Sequence, residues 1–161
     1  QQIVRLSADE LVAGTQGARM LIVNEYEYEM VKAKAKLSDA ALARLMPTLI
    51  VTKGEKGSTI FDKGTAIDIP AVPPLREAEP TGVGDAYRAG IIVGMTCGLP
   101  WEVTGRMASL AATYALECAG TQNHTFTLEA FAARYRQTFG DTLSLDWRRV
   151  RAAARPGIMR S

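Results

Sequence analysis

Histidine and cysteine, which often bind transition metals or act as nucleophiles and bases, are scarce in this 161-residue sequence. There is one histidine, His124, and there are two cysteines, Cys97 and Cys118, without CxxC spacing or a nearby histidine pair. These counts argue against a zinc site and against hydrolases built on Ser–His–Asp or Cys–His arrangements. Both cysteines lie in apolar segments, which is typical of buried, reduced thiols in a cytoplasmic protein.

Long apolar runs are also missing. The run from Gly90 to Met95 is among the longest, far below the ~20 residues that a membrane-spanning helix needs. The first ten residues do not have the basic start and apolar core of a secretory signal. We therefore predict a cytoplasmic protein that does not contact membranes.

Positive charge is in small excess, because the sequence has 19 Lys and Arg residues and 17 Asp and Glu residues, a net charge of +2. This balance does not indicate a nucleic-acid partner. Residues 141–161 hold five arginines and two aspartates, and we interpret them as a basic C-terminal extension. Such an extension could bind an anionic polymer, but we favour a solvated segment that packs through Leu143, Leu145 and Trp147.

The order of predicted elements indicates an α/β fold. Apolar runs over 20–23 and 48–52 are typical of buried parallel strands, and both are preceded or followed by helical segments. A β-hairpin is predicted over 58–69, around Asp62-Lys-Gly64, followed by helices over about 85–97, 100–118 and 128–139. We expect a parallel sheet with a β-hairpin and helices on both faces. Two parallel strands are few for such a sheet, so the chain is expected to be the second half of a larger domain.

The strongest indication of function is the glycine loop Thr81-Gly-Val-Gly-Asp85 at the start of a predicted helix. Gly82 and Gly84 leave no Cβ between the backbone N–H groups and a ligand, and the helix N-terminus adds roughly half a positive charge. A phosphate fits such a nest, and Asp85 could take the proton of a hydroxyl that attacks it. The alternative is a plain glycine turn with Asp85 as the helix N-cap.

Two further loops follow the predicted parallel strands, where open α/β sheets bind ligands. Asn24-Glu-Tyr-Glu27 places Glu27 where it could hold a water of Mg²⁺. Thr52-Lys-Gly-Glu-Lys-Gly57 offers glycines, a hydroxyl and the charge of Lys53 to a nucleotide phosphate. Taken singly, these segments are equally well an acidic helix start and a hairpin-entry turn. Three such loops in one short chain favour a nucleotide cleft.

This combination resembles the ribokinase (PfkB) family of carbohydrate and nucleoside kinases. The matching pieces follow the family's order and spacing over about residues 5–140: Asn24-x-x-Glu27, Thr52-Lys-Gly-Glu-Lys-Gly57, Glu79-Pro-Thr-Gly-Val-Gly-Asp-Ala-Tyr-Arg-Ala-Gly90 and Leu116-Glu-Cys-Ala-Gly-Thr-Gln122. The last two look most like an adenosine-kinase-like bacterial branch. The resemblance implies the C-terminal half of a ribokinase-like fold, with the N-terminal half and lid absent. It divides the chain into a nucleotide-binding and catalytic half, 1–140, and the extension 141–161.

The resemblance also implies a reaction, the ATP- and Mg²⁺-dependent transfer of a γ-phosphoryl group to a primary hydroxyl of a nucleoside or sugar. Asp85 matches the family's catalytic base, and Gly82, Val83 and Gly84 match its anion hole. The residues that match its nucleotide- and Mg²⁺-binding segments are Asn24, Glu27, Thr52, Gly54, Gly57, Ser109 and Gly120.

Two departures from the family limit these expectations. Glu79 stands where the family usually has an aspartate that helps to bind a monovalent cation, so activation by K⁺ stays an open alternative. The family's chain is about twice as long, and its other half carries most acceptor contacts and a lid that often forms a homodimer. We therefore expect the 161 residues alone to be inactive. Adenosine is the first expected acceptor; another sugar kinase of the family, or a non-catalytic nucleotide-binding fragment, is the alternative.

Overall fold

The computed structural model describes residues 5–143, which divide between two compact units, one ending at Ala71 and one beginning at Val72. Most of the predicted basic extension, including Leu145, Trp147 and all five of its arginines, lies outside the described residues. Leu143 is described and is buried in the core of the second unit.

The first unit is a four-stranded mixed sheet with three helices. Its strand order is β1-β2-β3-β4, with β1 and β2 parallel and the other neighbours antiparallel. The elements are α1 (Ala8–Thr15), β1 (Met20–Asn24), α2 (Glu25–Ala35), α3 (Asp39–Leu45), β2 (Thr48–Thr52), a 3₁₀ turn (Gly54–Lys56), β3 (Ser58–Asp62) and β4 (Thr65–Ile69). The predicted pair of parallel strands and the hairpin after them are confirmed.

The apolar run of β2 is buried on both faces of the sheet, whereas in β1 Val23 is buried and Met20 to Ile22 are partly buried. On one face Val23, Leu49 and Val51 pack with side chains of the three helices, including Val31 and the fully buried Leu42. On the other face the main buried side chains are those of Ile50 and Ile60, which the register places opposite each other. Burial on both faces explains why the run of β2 does not alternate with polar residues.

The second unit contains the helices α4 (Val83–Thr96), α5 (Trp101–Leu116) and α6 (Leu128–Phe139). Its core includes Val72, Leu110, Phe131 and the fully buried Tyr135. Cys97 and Cys118, at the ends of α4 and α5, are buried and partly buried thiols as predicted. Across residues 5–143, no helix is both long enough and apolar enough to cross a membrane.

The helices α4 and α5 approach closely at Gly90. A Cβ placed on Gly90 would lie 2.5 Å from the Cα of Ala108, far inside van der Waals contact with the facing backbone. The contact fixes the distance between the two helices, since neither backbone can yield as a flexible side chain would.

We expect Gly90→Ala to destabilise the full-length chain by about 1–3 kcal/mol, the usual cost of overpacking a tight interior. The matched control is Gly14→Ala in α1, where a Cβ meets nothing within 4 Å and the better helix propensity of alanine gives up to about 1 kcal/mol. Urea unfolding of both variants checks this, and equal midpoints would contradict the packing at Gly90.

Candidate active site

The glycine loop forms the N-terminus of α4, with Gly82 as its N-cap. Gly82 has φ +88°, and a Cβ there would lie 2.6 Å from the carbonyl oxygen of Thr121. Both facts restrict this position to glycine. Asp85 therefore lies in the first turn of the helix, which begins two residues earlier than predicted, and the alternative that Asp85 caps the helix is wrong.

Gly84 differs from Gly82 because the fold itself does not require a glycine there. Its φ is not positive, and a Cβ would meet only the guanidinium of Arg88, at an ordinary 3.8 Å. An alanine in the first turn of a helix would be the more stabilising choice. The open space at Gly84 leaves the backbone accessible to a ligand, which fits the predicted anion hole of Gly82, Val83 and Gly84.

The side chain of Asp85 is 82% exposed to solvent, and its carboxylate lies 2.7 Å from the guanidinium of Arg88. The acid is thus held one helical turn from its partner, outside the core. Arg88 was not predicted as a site residue, although its spacing of three residues from Asp85 is one at which helical side chains meet.

Glu79 connects the glycine loop to the loop after α5. Its Oε2 accepts a hydrogen bond of 2.9 Å from the N–H of Gly120, the residue predicted near the nucleotide. This N–H, followed by the hydroxyl of Thr81, holds the pKa of Glu79 below its usual value. The carboxylate of Glu79 thus serves as an acceptor for two protein donors, and its role in binding a monovalent cation stays a prediction.

Asn24 and Glu27 form a reciprocal capping box at the start of α2. The Asn24 side chain accepts from the N–H of Glu27 at 2.8 Å, and the Glu27 carboxylate accepts from the N–H of Asn24 at 3.0 Å. The strand register places Thr52 beside Asn24, and the Thr52 hydroxyl donates to the carbonyl of Val23 at 3.4 Å. The structure thus brings Asn24, Glu27 and Thr52 together at the carboxyl ends of β1 and β2.

The donor set at this edge fits Mg²⁺. The cation keeps several of its waters and is commonly bound through one or two carboxylates together with substrate phosphates, so one carboxylate and one amide oxygen suffice. Within residues 5–143 no three His, Cys, Asp or Glu side chains gather into a self-contained metal cage, an arrangement that Mg²⁺ bound with phosphates does not need.

The side chain of Lys53 points away from the loop of residues 52–57. Its Nζ donates 2.6 Å to the hydroxyl of Thr59, which in turn donates to Asp68. Gly57 has φ +84°, and a Cβ there would lie 2.0 Å from the carbonyl oxygen of Ile69. The hairpin entry therefore explains Gly57 by itself, whereas Gly54, also with positive φ, faces open space.

Ser109 lies in the middle of α5 and is buried. Its carbonyl accepts the hydroxyl of Thr113 at 3.0 Å. In the second unit, then, the structure groups Glu79, Gly82, Asp85 and Gly120 around the start of α4, and it places Ser109 about two helical turns before the end of α5.

A glycine loop at a helix N-terminus, following an α/β sheet, is typical of proteins that bind phosphate groups. Residues 4–127 match the pfkB family carbohydrate kinases, and the chain belongs to this family. The nucleoside kinase of Methanocaldococcus jannaschii is 29% identical over 134 residues, which are 83% of this chain and 44% of that protein.

Solved structures of nucleoside kinases agree with this assignment. The Burkholderia thailandensis nucleoside kinase in complex with inosine matches with a TM-score of 0.87 and 33% identity, over 89% of this chain and 48% of that one. The same kinase in complex with ADP-inosine gives 0.87 and 32%, over 91% and 46%. The M. jannaschii kinase, a member of the ribokinase family, gives 0.81 and 28%, over 85% and 46%. The predicted ribokinase-like fold is confirmed, and the chain spans less than half the length of these relatives.

We expect Gly82→Ala to destabilise the full-length chain by about 2–4 kcal/mol, because it combines a strained positive φ with a clash against backbone. Gly84→Ala, two residues away, is the matched control and should leave stability unchanged or raise it by up to about 1 kcal/mol. Thermal unfolding of the two variants distinguishes them. A similar loss in both would show that the fold needs glycine at 84 as well.

Proposed function

We propose that residues 1–140 are the nucleotide-binding and catalytic part of an ATP-dependent kinase that phosphorylates a primary hydroxyl of a nucleoside, with 141–161 as a basic extension. The observation that carries the proposal is the glycine loop, in which a helix N-terminus lies open at Gly84 beside the exposed carboxylate of Asp85. Membership of the pfkB family supports the same chemistry.

Phosphoryl transfer asks for positioning and charge stabilisation more than for covalent chemistry by the protein. In this proposal Asp85 accepts the proton of the attacking hydroxyl, and Arg88 orients the carboxylate through their 2.7 Å contact. The backbone amides of Gly82, Val83 and Gly84, with the positive end of α4, face the charge that develops on the transferred group.

The nucleotide would be held mainly by the loops at the strand ends. Asn24 and Glu27 would position Mg²⁺, with Glu27 holding one of its waters, and the cation would supply neutralisation of phosphate charge. The hydroxyl of Thr52 would contact a phosphate of the nucleotide. Gly54, Gly57, Ser109 and Gly120 are the further nucleotide contacts that we propose. For Lys53 to reach a phosphate, its hydrogen bond to Thr59 has to break.

The acceptor that we propose is a purine nucleoside, adenosine or a close analogue. Two similar structures are of a nucleoside kinase bound to inosine or ADP-inosine, and the first curated relatives are nucleoside kinases. A ribose- or hexose-type sugar is the second candidate, because the family name covers carbohydrate kinases. A purely nucleotide-binding role would leave the exposed acid beside the loop without a use.

We expect Asp85→Asn in the complete protein that contains these residues to lower kcat by about 10²–10⁴, the usual contribution of a general base, while nucleotide binding persists. Steady-state kinetics with ATP and a panel of nucleosides and sugars measures the first effect, and calorimetry with ADP measures the second. Asp9→Asn, an acid in the first turn of α1, is the matched control and should retain full activity. Turnover of Asp85→Asn near the wild-type value rules out the base assignment.

A further inference from the structure

Glu117 is a buried acid at the C-terminal end of α5, with 8% of the residue exposed. Its two carboxylate oxygens accept from the two terminal nitrogens of Arg134 on α6, at 2.6 and 2.8 Å, which is the bidentate geometry of a strong ion pair. The guanidinium of Arg134 and then the N–H of Leu75 lower the pKa of Glu117 although burial opposes this. The Arg134 guanidinium also lies 4.8 Å from the ring centre of Tyr114, which orients it further.

The same carboxylate holds the segment that leads into the glycine loop. The N–H of Leu75 donates 2.7 Å to Oε1 of Glu117, and the side chain of Arg76 donates 3.0 Å to the Glu117 carbonyl. Beyond them, the N–H groups of Ala78 and Glu79 both donate to the carbonyl of Leu116, at 3.0 and 3.3 Å. Residues 75–79 are therefore laid along the end of α5 by polar contacts.

Apolar packing cannot substitute for these contacts. Residues 75–78 are all exposed, and Leu75, the one large apolar side chain among them, is 85% exposed. The segment also belongs to no helix or strand. Its position therefore depends on hydrogen bonds to residues 116–117, of which the bond to the Glu117 carboxylate is the shortest.

The contact between the two segments continues to the glycine loop. Glu79 accepts from Gly120, three residues after Glu117, and Gly82 lies against Thr121. A shift of residues 75–79 along α5 would therefore move Gly82 and the start of α4. Misplacement of a catalytic group by about 1 Å can cost ~10²-fold in rate.

We propose that Glu117, held by Arg134, is a positioning residue for phosphoryl transfer. It fixes residues 75–79 on the end of α5, so that the amides of the glycine loop and Asp85 keep their places relative to the transferred phosphate. This inference rests on the proposed function of the loop.

The test uses Glu117→Gln in the complete protein that contains these residues, with Glu102→Gln as the matched control. Gln keeps the volume and one oxygen acceptor but loses the charge that holds Arg134. Glu102 lies at the other end of α5 and pairs with Arg106 at 2.6 Å. We expect kcat to fall about 10–100-fold in Glu117→Gln with KM changed less than threefold, because the loop amides act in the transition state. Glu102→Gln should keep both constants.

A second readout does not depend on activity. Hydrogen–deuterium exchange of the amides of residues 78–85 should be at least tenfold faster in Glu117→Gln and unchanged in Glu102→Gln. Arg134→Gln should reproduce both effects, and the double variant should be no worse than either single one, because all three remove the same contact. Arg134→Lys keeps the charge without the bidentate fork and should lie between Arg134→Gln and the wild type.

Each outcome decides one of the two claims. If the complete protein that contains these residues transfers no phosphate to any nucleoside or sugar, the proposed function fails, and the exchange data alone judge the positioning. If Glu117→Gln does not fold, Arg134→Lys carries the same measurements. The proposal is overturned if the amides of residues 78–85 exchange in the folded variants at the wild-type rate. It is also overturned if Glu102→Gln loses as much kcat as Glu117→Gln.

Discussion

The contact on which the candidate site depends most is the approach of Gly82 to the carbonyl of Thr121. Two backbones meet here without any side chain between them, and a single methyl group would stand 2.6 Å from the oxygen. Because Gly82 caps α4 and Thr121 lies in the turn that follows α5, this contact ties the N-terminus of α4 to that turn. The hydrogen bond from Gly120 to Glu79 secures the same junction from the other side. Preorganised amides act in catalysis only when their positions are determined in this way.

Around this junction the molecule uses two different kinds of stabilisation. The strands and helices are held by apolar packing, with Ile50, Ile60 and Leu110 fully buried. Residues 75–79, which lead into the glycine loop, have almost no apolar contacts of their own and are held by hydrogen bonds and one ion pair. Polar contacts of this kind are geometrically specific and locally breakable, so the position of the loop can respond to charge while the core stays intact.

Most of the fold follows from local sequence signals, whereas the site geometry follows only in part. Two apolar runs and an Asp-Lys-Gly turn predict β1, β2 and the hairpin correctly, because burial and turn chemistry are encoded within a few residues. The sequence places the start of α4 two residues too late, because an acid is a favoured N-cap. The observed N-cap, Gly82, has a positive φ and lies against Thr121, which is distant along the chain. The ion pair of Glu117 with Arg134 joins two different helices, so no local sequence pattern predicts it.

The direction of the Lys53 side chain can be predicted from the sequence. Alternation along β2 puts it on the same face as Leu49 and Val51, so its direction away from the loop tip follows from the two-residue period of a strand. The residues of the site that remain beyond sequence reasoning are therefore those whose partners lie far along the chain, such as Gly120 for Glu79 and Thr121 for Gly82.

The capping box of Asn24 and Glu27 affects how sequences of this family should be compared. These two side chains stabilise the start of α2 whether or not any cation is bound, so a descendant that had lost its chemistry would still be under selection to retain them. Gly84, by contrast, contributes nothing to folding that alanine would not supply. Under the proposed function, its persistence or replacement among homologues is consequently a better marker of a working enzyme than the more conspicuous Asn-x-x-Glu pattern.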